Sequence, residues 1–226
     1  KDLKKTGIDA VKLQAYQANT ITINNKSKDF RIKKVNSWSK FEYLYKLYKQ
    51  AETPIQWFPK IFSFCKKINL TVFASVFDES NLKVLEKLNC PAYKIASPEI
   101  TDIPLIRKIA KTKKPIILSN GLADLKDLSL AIKEISKINK KLIVLKCTSS
   151  YPANVEELNL MTMKDIQKKF KCLSGFSDHT VGINTSIHAA SLGACILEKH
   201  IKPFGVKTVD SFFSIDLKQL KQLITI

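Results

Sequence analysis

Two of the three histidines, His179 and His200, fall at the C-terminal ends of consecutive predicted strands. Neighbouring parallel strands lie about 5 Å apart, so two inward-facing imidazoles at that level can share one divalent cation. Glu198 lies two residues before His200 on the same strand face, and Asp178 adjoins His179. Two imidazoles with carboxylate or water oxygens suit Mn2+, Zn2+ or Fe2+ and leave positions open for a substrate oxygen. An isolated histidine pair also serves as an acid/base couple or as two satisfied side chains, so the pair alone leaves those readings open. His188 sits within a helical pattern and reads as a helix-face residue.

Lys12 and Lys94 sit inside predicted strands, where a buried ammonium needs a partner. A ligand phosphate or carboxylate would supply one. The alternative is a Schiff-base lysine whose pKa is lowered by desolvation. Ser97, Ser119 and Ser177 end three further predicted strands and add hydroxyl donors. Lysines and serines together point to an anion site.

The elements that must position these residues are short apolar runs alternating with helical patterns. The runs are Ala10 to Tyr16, Thr71 to Phe77, Ala92 to Ser97, Pro115 to Gly121, Lys141 to Ser149, Leu173 to His179 and Cys195 to Ile201. Between them, Asn81 to Leu88, Pro104 to Lys111, Asp124 to Ile138 and Asn184 to Leu192 carry apolar residues at three- and four-residue steps, the pattern of crossover helices. Such alternation without a hairpin signal predicts a parallel sheet covered by helices. Nearly every run ends in polar chemistry, which favours an α/β barrel of the (β/α)8 TIM type over an open doubly wound sheet. No G-x-G-x-x-G is present.

Seven strands do not close such a barrel, and the chain opens on what reads as the end of a helix. The expectation is a single TIM-barrel domain over 1–226 that lacks its first strand and most of its first helix. The connection from Gln17 to Leu70 is expected to hold an extended loop and then one or two helices ending near Lys67.

Charge and cysteine content narrow the function classes. Lys+Arg 38 against Asp+Glu 20 gives +18, which invites a polyanion partner. Yet only Arg31 and Arg107 are arginines, and the lysines are scattered in pairs at polar positions, so a solvated surface is expected and nucleic acid is not. Five cysteines without a C-x-x-C pair suit a reducing cytoplasm, and Cys147 and Cys195 in apolar runs read as small hydrophobes. No run approaches the roughly 20 apolar residues of a membrane span, and the first residues carry no signal-peptide core.

The motifs KLQ (Lys12 to Gln14), YKIASPE (Tyr93 to Glu99), KCTSSYP (Lys146 to Pro152), GFSDHT (Gly175 to Thr180) and LGACILEKH (Leu192 to His200) resemble those of the sialic acid synthases, in order and approximate spacing. The resemblance implies condensation of phosphoenolpyruvate with an open-chain N-acetylated amino sugar, giving a nine-carbon 2-keto-3-deoxy acid and phosphate. It implies that Lys12, Lys94, Ser97, Ser119 and Ser177 hold phosphoenolpyruvate. It implies that His179 and His200 bind Mn2+, with Mg2+ or Co2+ as alternatives. By the same resemblance Gln14, Ser75, Glu99, Ser149, Tyr151 and Asp210 handle the sugar and pyruvyl groups, and Lys94, Glu99, Glu198, His179 and His200 are catalytic. Glu198 would act as an orienting residue or base rather than a ligand.

LYKLYKQAETPIQWFP and VDSFFSID resemble the pseudaminic branch, and Ser149 stands where the neuraminate branch often has asparagine. The implied sugar is then a 2,4-diacetamido-2,4,6-trideoxy hexose, with neuraminate or legionaminate synthesis as the alternative. The family's first strand, which supplies a glutamate, and its C-terminal antifreeze-like domain, which lends an arginine to the partner subunit of a homodimer, are absent from these residues. The chain alone is therefore expected to be inactive or impaired. A Schiff-base pyruvate aldolase and a polyanion-binding barrel are the more distant alternatives.

Overall fold

The computed structural model describes residues 1–203 and 205–226. Seven parallel strands, β1 (Ala10–Ala15), β2 (Thr71–Val76), β3 (Tyr93–Ile95), β4 (Ile116–Ser119), β5 (Leu142–Cys147), β6 (Leu173–Asp178) and β7 (Leu197–Lys199), pair in sequence order. The helices are α1 (Asp2–Lys5), α2 (Ala18–Ile21), α3 (Leu44–Ala51), α4 (Phe58–Lys67), α5 (Glu79–Lys87), α6 (Ile103–Lys111), α7 (Leu125–Ser136), α8 (Thr162–Phe170), α9 (Asn184–Ser191) and α10 (Leu217–Thr225). The result is the predicted parallel α/β architecture, a TIM-type half-barrel with β1 and β7 at its edges.

The core lies between sheet and helices. Ala74, Val76, Tyr93, Ile95, Ile116, Leu118 and Val144 pack against Leu105, Ile106, Ile109, Ala131, Ile132 and Ile135 of α6 and α7. Aspartates returning from the strand ends start several helices. Asp78 accepts from Asn81 N (2.8 Å), Asp102 from Leu105 N (3.0 Å) and Asp124 from Lys126 N and Asp127 N (2.7 and 2.9 Å). Each cap satisfies backbone donors that a helix start otherwise leaves unpaired.

Two helices lie outside the predicted set. In α8 only Met163 and Ile166 are buried, and in α10 only Leu220, so their apolar stripes are too thin to stand out in sequence. The long connection after β1 folds into α2, α3, α4 and 3-10 turns, ending at Lys67 as expected.

The strands are shorter than their apolar runs. The ladders stop at Ile95, Cys147, Asp178 and Lys199, which leaves Ser97, Ser149, His179 and His200 just past them in the loops of one mouth. Register places Gln14, Ser75 and Lys94 in one cross-strand row and Cys147, Ser177 and Glu198 in another. The sheet curls far enough for Lys12 Nζ on β1 to lie 2.9 Å from Glu198 Oε1 on β7.

Candidate active site

The inner face carries a charged clamp. Lys94, only 2% exposed, lies with its Nζ 3.6 Å from Glu198 Oε1, and Ser177 Oγ donates to the same oxygen at 2.8 Å. Burial pushes the Lys94 ammonium down, with Glu198 opposing it. Burial alone would raise Glu198, but Lys12 and Lys94 outweigh it and hold its carboxyl far below the usual range. A carboxylate so stabilised is a poor proton acceptor. The two lysines and Ser177 that converge on its Oε1 suit an orienting role for Glu198 better than a base role. The partner required by the two strand lysines is, in this structure, a protein carboxylate.

The serines divide. Ser97 Oγ accepts the Gly121 N–H at 2.6 Å, leaving its own proton to donate. A side chain at Gly121 would sit 2.7 Å from Ser97 Oγ and against Ser149 Oγ, so only glycine allows this approach. Ser119 Oγ is buried without a hydrogen-bond partner, as is Glu99 Oε2. Ser174 Oγ, at the start of β6 and away from this mouth, is the third such atom among the described residues. Ser75 is buried in β2 beside Lys94 in register.

His179 and His200 stand with ring centroids 5.5 Å apart and planes at 72°. Thr148 O lies 2.9 Å from His179 Nδ1, and Asp210 Oδ2 lies 3.4 Å from His200 Nδ1. An Nδ1–H held by an oxygen leaves Nε2 as the free lone pair, the arrangement in which metal-binding imidazoles are oriented. Burial pushes His200 below its ordinary value, with Asp210 opposing, so burial favours the neutral, ligating form. Among the described residues no group of three or more His, Cys, Asp and Glu could hold an ion. A cation held here would take two imidazoles from the protein and its remaining positions from water or substrate oxygens. His188 lies exposed on α9, beside Val181 and Met161 in a surface cleft.

Cys147 belongs to this site and not to the apolar filling its run suggested. Its Sγ lies 3.8 Å from His179 Nδ1 and 3.9 Å from Ser149 Oγ. Burial raises the thiol, but His179, Lys94 and Ser97 together bring it down to about 7. Cys195 is likewise no core residue, since it is exposed ahead of β7. Over the histidines, Tyr151 packs on His179 (4.3 Å) and Phe213, and Trp38 packs on Tyr151 and Phe212 while donating Nε1–H to Val209 O at 2.9 Å. Tyr16 and Tyr48 are not among the expected site residues. They pack edge to face, and their phenols, raised by burial, sense Asp210 and Glu99 respectively.

Glu99 is raised to about 8 from 4.5, first by burial. It is therefore a neutral carboxylic acid near pH 7, able to donate. Between 4.5 and about 8 the folded chain binds more protons than the unfolded one, so stability falls as pH rises through that window. Glu99→Gln is expected to match the native chain at low pH and to exceed its stability at pH 8 and above. Thermal unfolding across pH checks this, and parallel curves would contradict it.

On the helix side of the same strand ends, Asp178 (0% exposed) and Lys199 (4% exposed side chain) pair at 2.9 Å. Asp178 also accepts from Thr180 N and Oγ1 (2.8 Å each), Thr185 Oγ1 (3.2 Å) and Ser186 Oγ (2.5 Å). These contacts tie the ends of β6 and β7 to α9 and so set the two histidines. Asp178→Ala leaves the buried Lys199 ammonium with only the Thr180 carbonyl, to which it donates at 2.6 Å, and is expected to cost about 3 kcal/mol in urea unfolding. A cost below about 1 kcal/mol would show that the pair is dispensable.

The structure thus sets a lysine–glutamate clamp and a histidine pair at one mouth of a parallel α/β half-barrel. Over residues 1–226 the chain matches the family model described as the NeuB family, and it belongs to that family. It is 42% identical over 224 residues to the pseudaminic acid synthase of Helicobacter pylori, covering 98% of this chain and 65% of that protein. It is 34% identical to the N,N'-diacetyllegionaminic acid synthase of Campylobacter jejuni, covering 97% of this chain and 66% of that protein. Among solved structures, the N-acetylneuraminic acid synthetase of Leptospira borgpetersenii, solved in complex with citrate, superposes with a TM-score of 0.87 at 29% identity. That match covers 99% of this chain and 73% of the other. The chain thus spans about two thirds of the length of these relatives.

Proposed function

We propose that residues 1–226 form the catalytic barrel of a synthase that joins phosphoenolpyruvate to an N-acetylated amino sugar, in the manner of the pseudaminic acid synthases it resembles. The observation that carries this is the convergence of Lys12, Lys94, Ser177 and the orphaned Ser119 hydroxyl on one mouth with the His179–His200 pair. Together they offer donors for a phosphate and carboxylate beside a place for a sugar aldehyde.

In this reading Lys12, Lys94, Ser97, Ser119 and Ser177 hold phosphoenolpyruvate, neutralising and orienting it. His179 and His200 would hold a divalent ion, Mn2+ before Mg2+ or Co2+, which supplies Lewis-acid polarisation of the aldehyde oxygen. The C2=C3 π electrons form the new bond to the aldehyde carbon, and Glu99, neutral at pH 7, gives the aldehyde oxygen its proton. Water adds at C2 and loses one proton, which restores Glu99, and the hemiketal hydroxyl then gives its proton to the departing phosphate as the C2–O bond breaks and the C2=O bond forms. Gln14, Ser75, Ser149, Tyr151 and Asp210, with Tyr16 and Tyr48 beside them, line the sugar's side.

A 2,4-diacetamido-2,4,6-trideoxy hexose is the favoured sugar, because pseudaminic acid synthases share more identity with the chain than legionaminic ones do. The setting is the reducing cytoplasm, in keeping with five free cysteines, and a homodimer is the working unit that the resemblance implies. A panel of acetamido sugars, assayed by phosphate release with protein extended to the full length of its relatives, tests the reading. The diacetamido trideoxy sugar is expected to be turned over fastest, and release indifferent to added sugar would overturn it.

One observation favours a second reading: burial lowers Lys94, as a Schiff-base lysine requires. Borohydride reduction with pyruvate would trap a lysine adduct in that case and leave the protein unmodified in the first.

A further inference from the structure

The donors that an anionic substrate group would use already share one protein atom. Glu198 Oε1 lies 2.9 Å from Lys12 Nζ and 3.6 Å from Lys94 Nζ, and it accepts from Ser177 Oγ at 2.8 Å. The carboxylate reaches in from β7, whereas its partners stand on β1, β3 and β6. Among the described residues Lys12 and Lys94 form ion pairs with no other carboxylate. Asp178 is engaged by Lys199, and Asp210 faces His200.

We propose that Glu198 is a built-in competitor for the anion site, its Oε1 standing in for one oxygen of the substrate's phosphate or carboxylate. The inference rests on the reading of this clamp as the phosphoenolpyruvate site. Two ammoniums converging at one point without a counter-charge would be costly, the more so as Lys94 is buried, so Glu198 keeps both in place while the site is empty. An incoming anion takes over the same donors, and the carboxylate it displaces or crowds opposes its binding. Glu198 thereby sets how tightly the site grips phosphate, including the phosphate that must leave after the reaction. Its role is to position the lysines and tune their affinity, not to exchange protons with substrate.

Calorimetric titration of inorganic phosphate into the native chain and into Glu198→Gln, without divalent ion and at mildly acidic pH, tests this. Glutamine keeps the shape and a hydrogen bond for Ser177 but removes the charge. The variant is expected to bind phosphate at least about tenfold more tightly, with a steeper loss on adding salt. A merely structural role gives the opposite, since lysines that lose their holder bind an anion less well. Equal or weaker binding by a variant with native unfolding temperature therefore overturns the proposal. Should Glu198→Gln fail to fold, Glu198→Asp draws the charge back by one methylene and is expected to shift affinity in the same direction by a smaller factor. No tightening there overturns it too. Phosphate binding by neither native nor variant protein would defeat the anion-site reading itself, and the proposal with it.

Discussion

Lys94→Met lowers kcat/KM for phosphoenolpyruvate by at least about a hundredfold, the scale set by removing one preorganised donor from a water-excluded site. Lys94 is 2% exposed, and burial already disfavours its charge, so its ammonium is retained through Glu198 and through any anion that enters. Methionine fills nearly the same volume, and Glu198 keeps Lys12 and Ser177 as partners. The fold should therefore survive while binding and turnover fail together. Steady-state kinetics with phosphate release as the signal measure the effect, alongside unfolding temperature. Turnover within threefold of native would remove Lys94 from the site.

His179→Ala and His200→Ala form the second large prediction. Each removes one of two imidazoles whose Nδ1 is occupied by Thr148 O or faced by Asp210. No third His, Cys, Asp or Glu among the described residues compensates. Activity should fall by at least about a hundredfold. A readout independent of turnover is the rise in unfolding temperature on adding Mn2+, expected for the native protein by mass action and absent in both variants. A Mn2+-induced rise that persists in both would place the ion elsewhere.

The fold was largely legible in the sequence because alternation of short apolar runs with three- and four-residue periodicity encodes a parallel sheet directly. Lys12 and Lys94 were legible because each is out of place in an apolar strand unless something meets it, and His179 and His200 because they close apolar runs that end at one mouth. The rest was hidden for particular reasons. A thiol in an apolar run looks the same whether it faces helices or the interior, so Cys147 gave no sign of His179 beside it. Tyr16 follows β1 and Tyr48 lies on α3 within the long connection, and which helix face meets Glu99 depends on how that connection folds back. The Glu198 contact to Lys12 depends on how far the sheet curls, which no local pattern states. The thin apolar stripes of α8 and α10 left both helices unmarked.

The condensation itself is tested most directly by the fate of the bridging oxygen. Phosphoenolpyruvate labelled with 18O between C2 and phosphorus is supplied with the diacetamido trideoxy hexose and Mn2+, and the products are read by mass spectrometry. Attack through C3 followed by water addition at C2 predicts that the label leaves entirely with inorganic phosphate and that the nine-carbon keto acid carries oxygen from solvent. Label retained at C2 of the keto acid, or free pyruvate in place of a nine-carbon product, would contradict it.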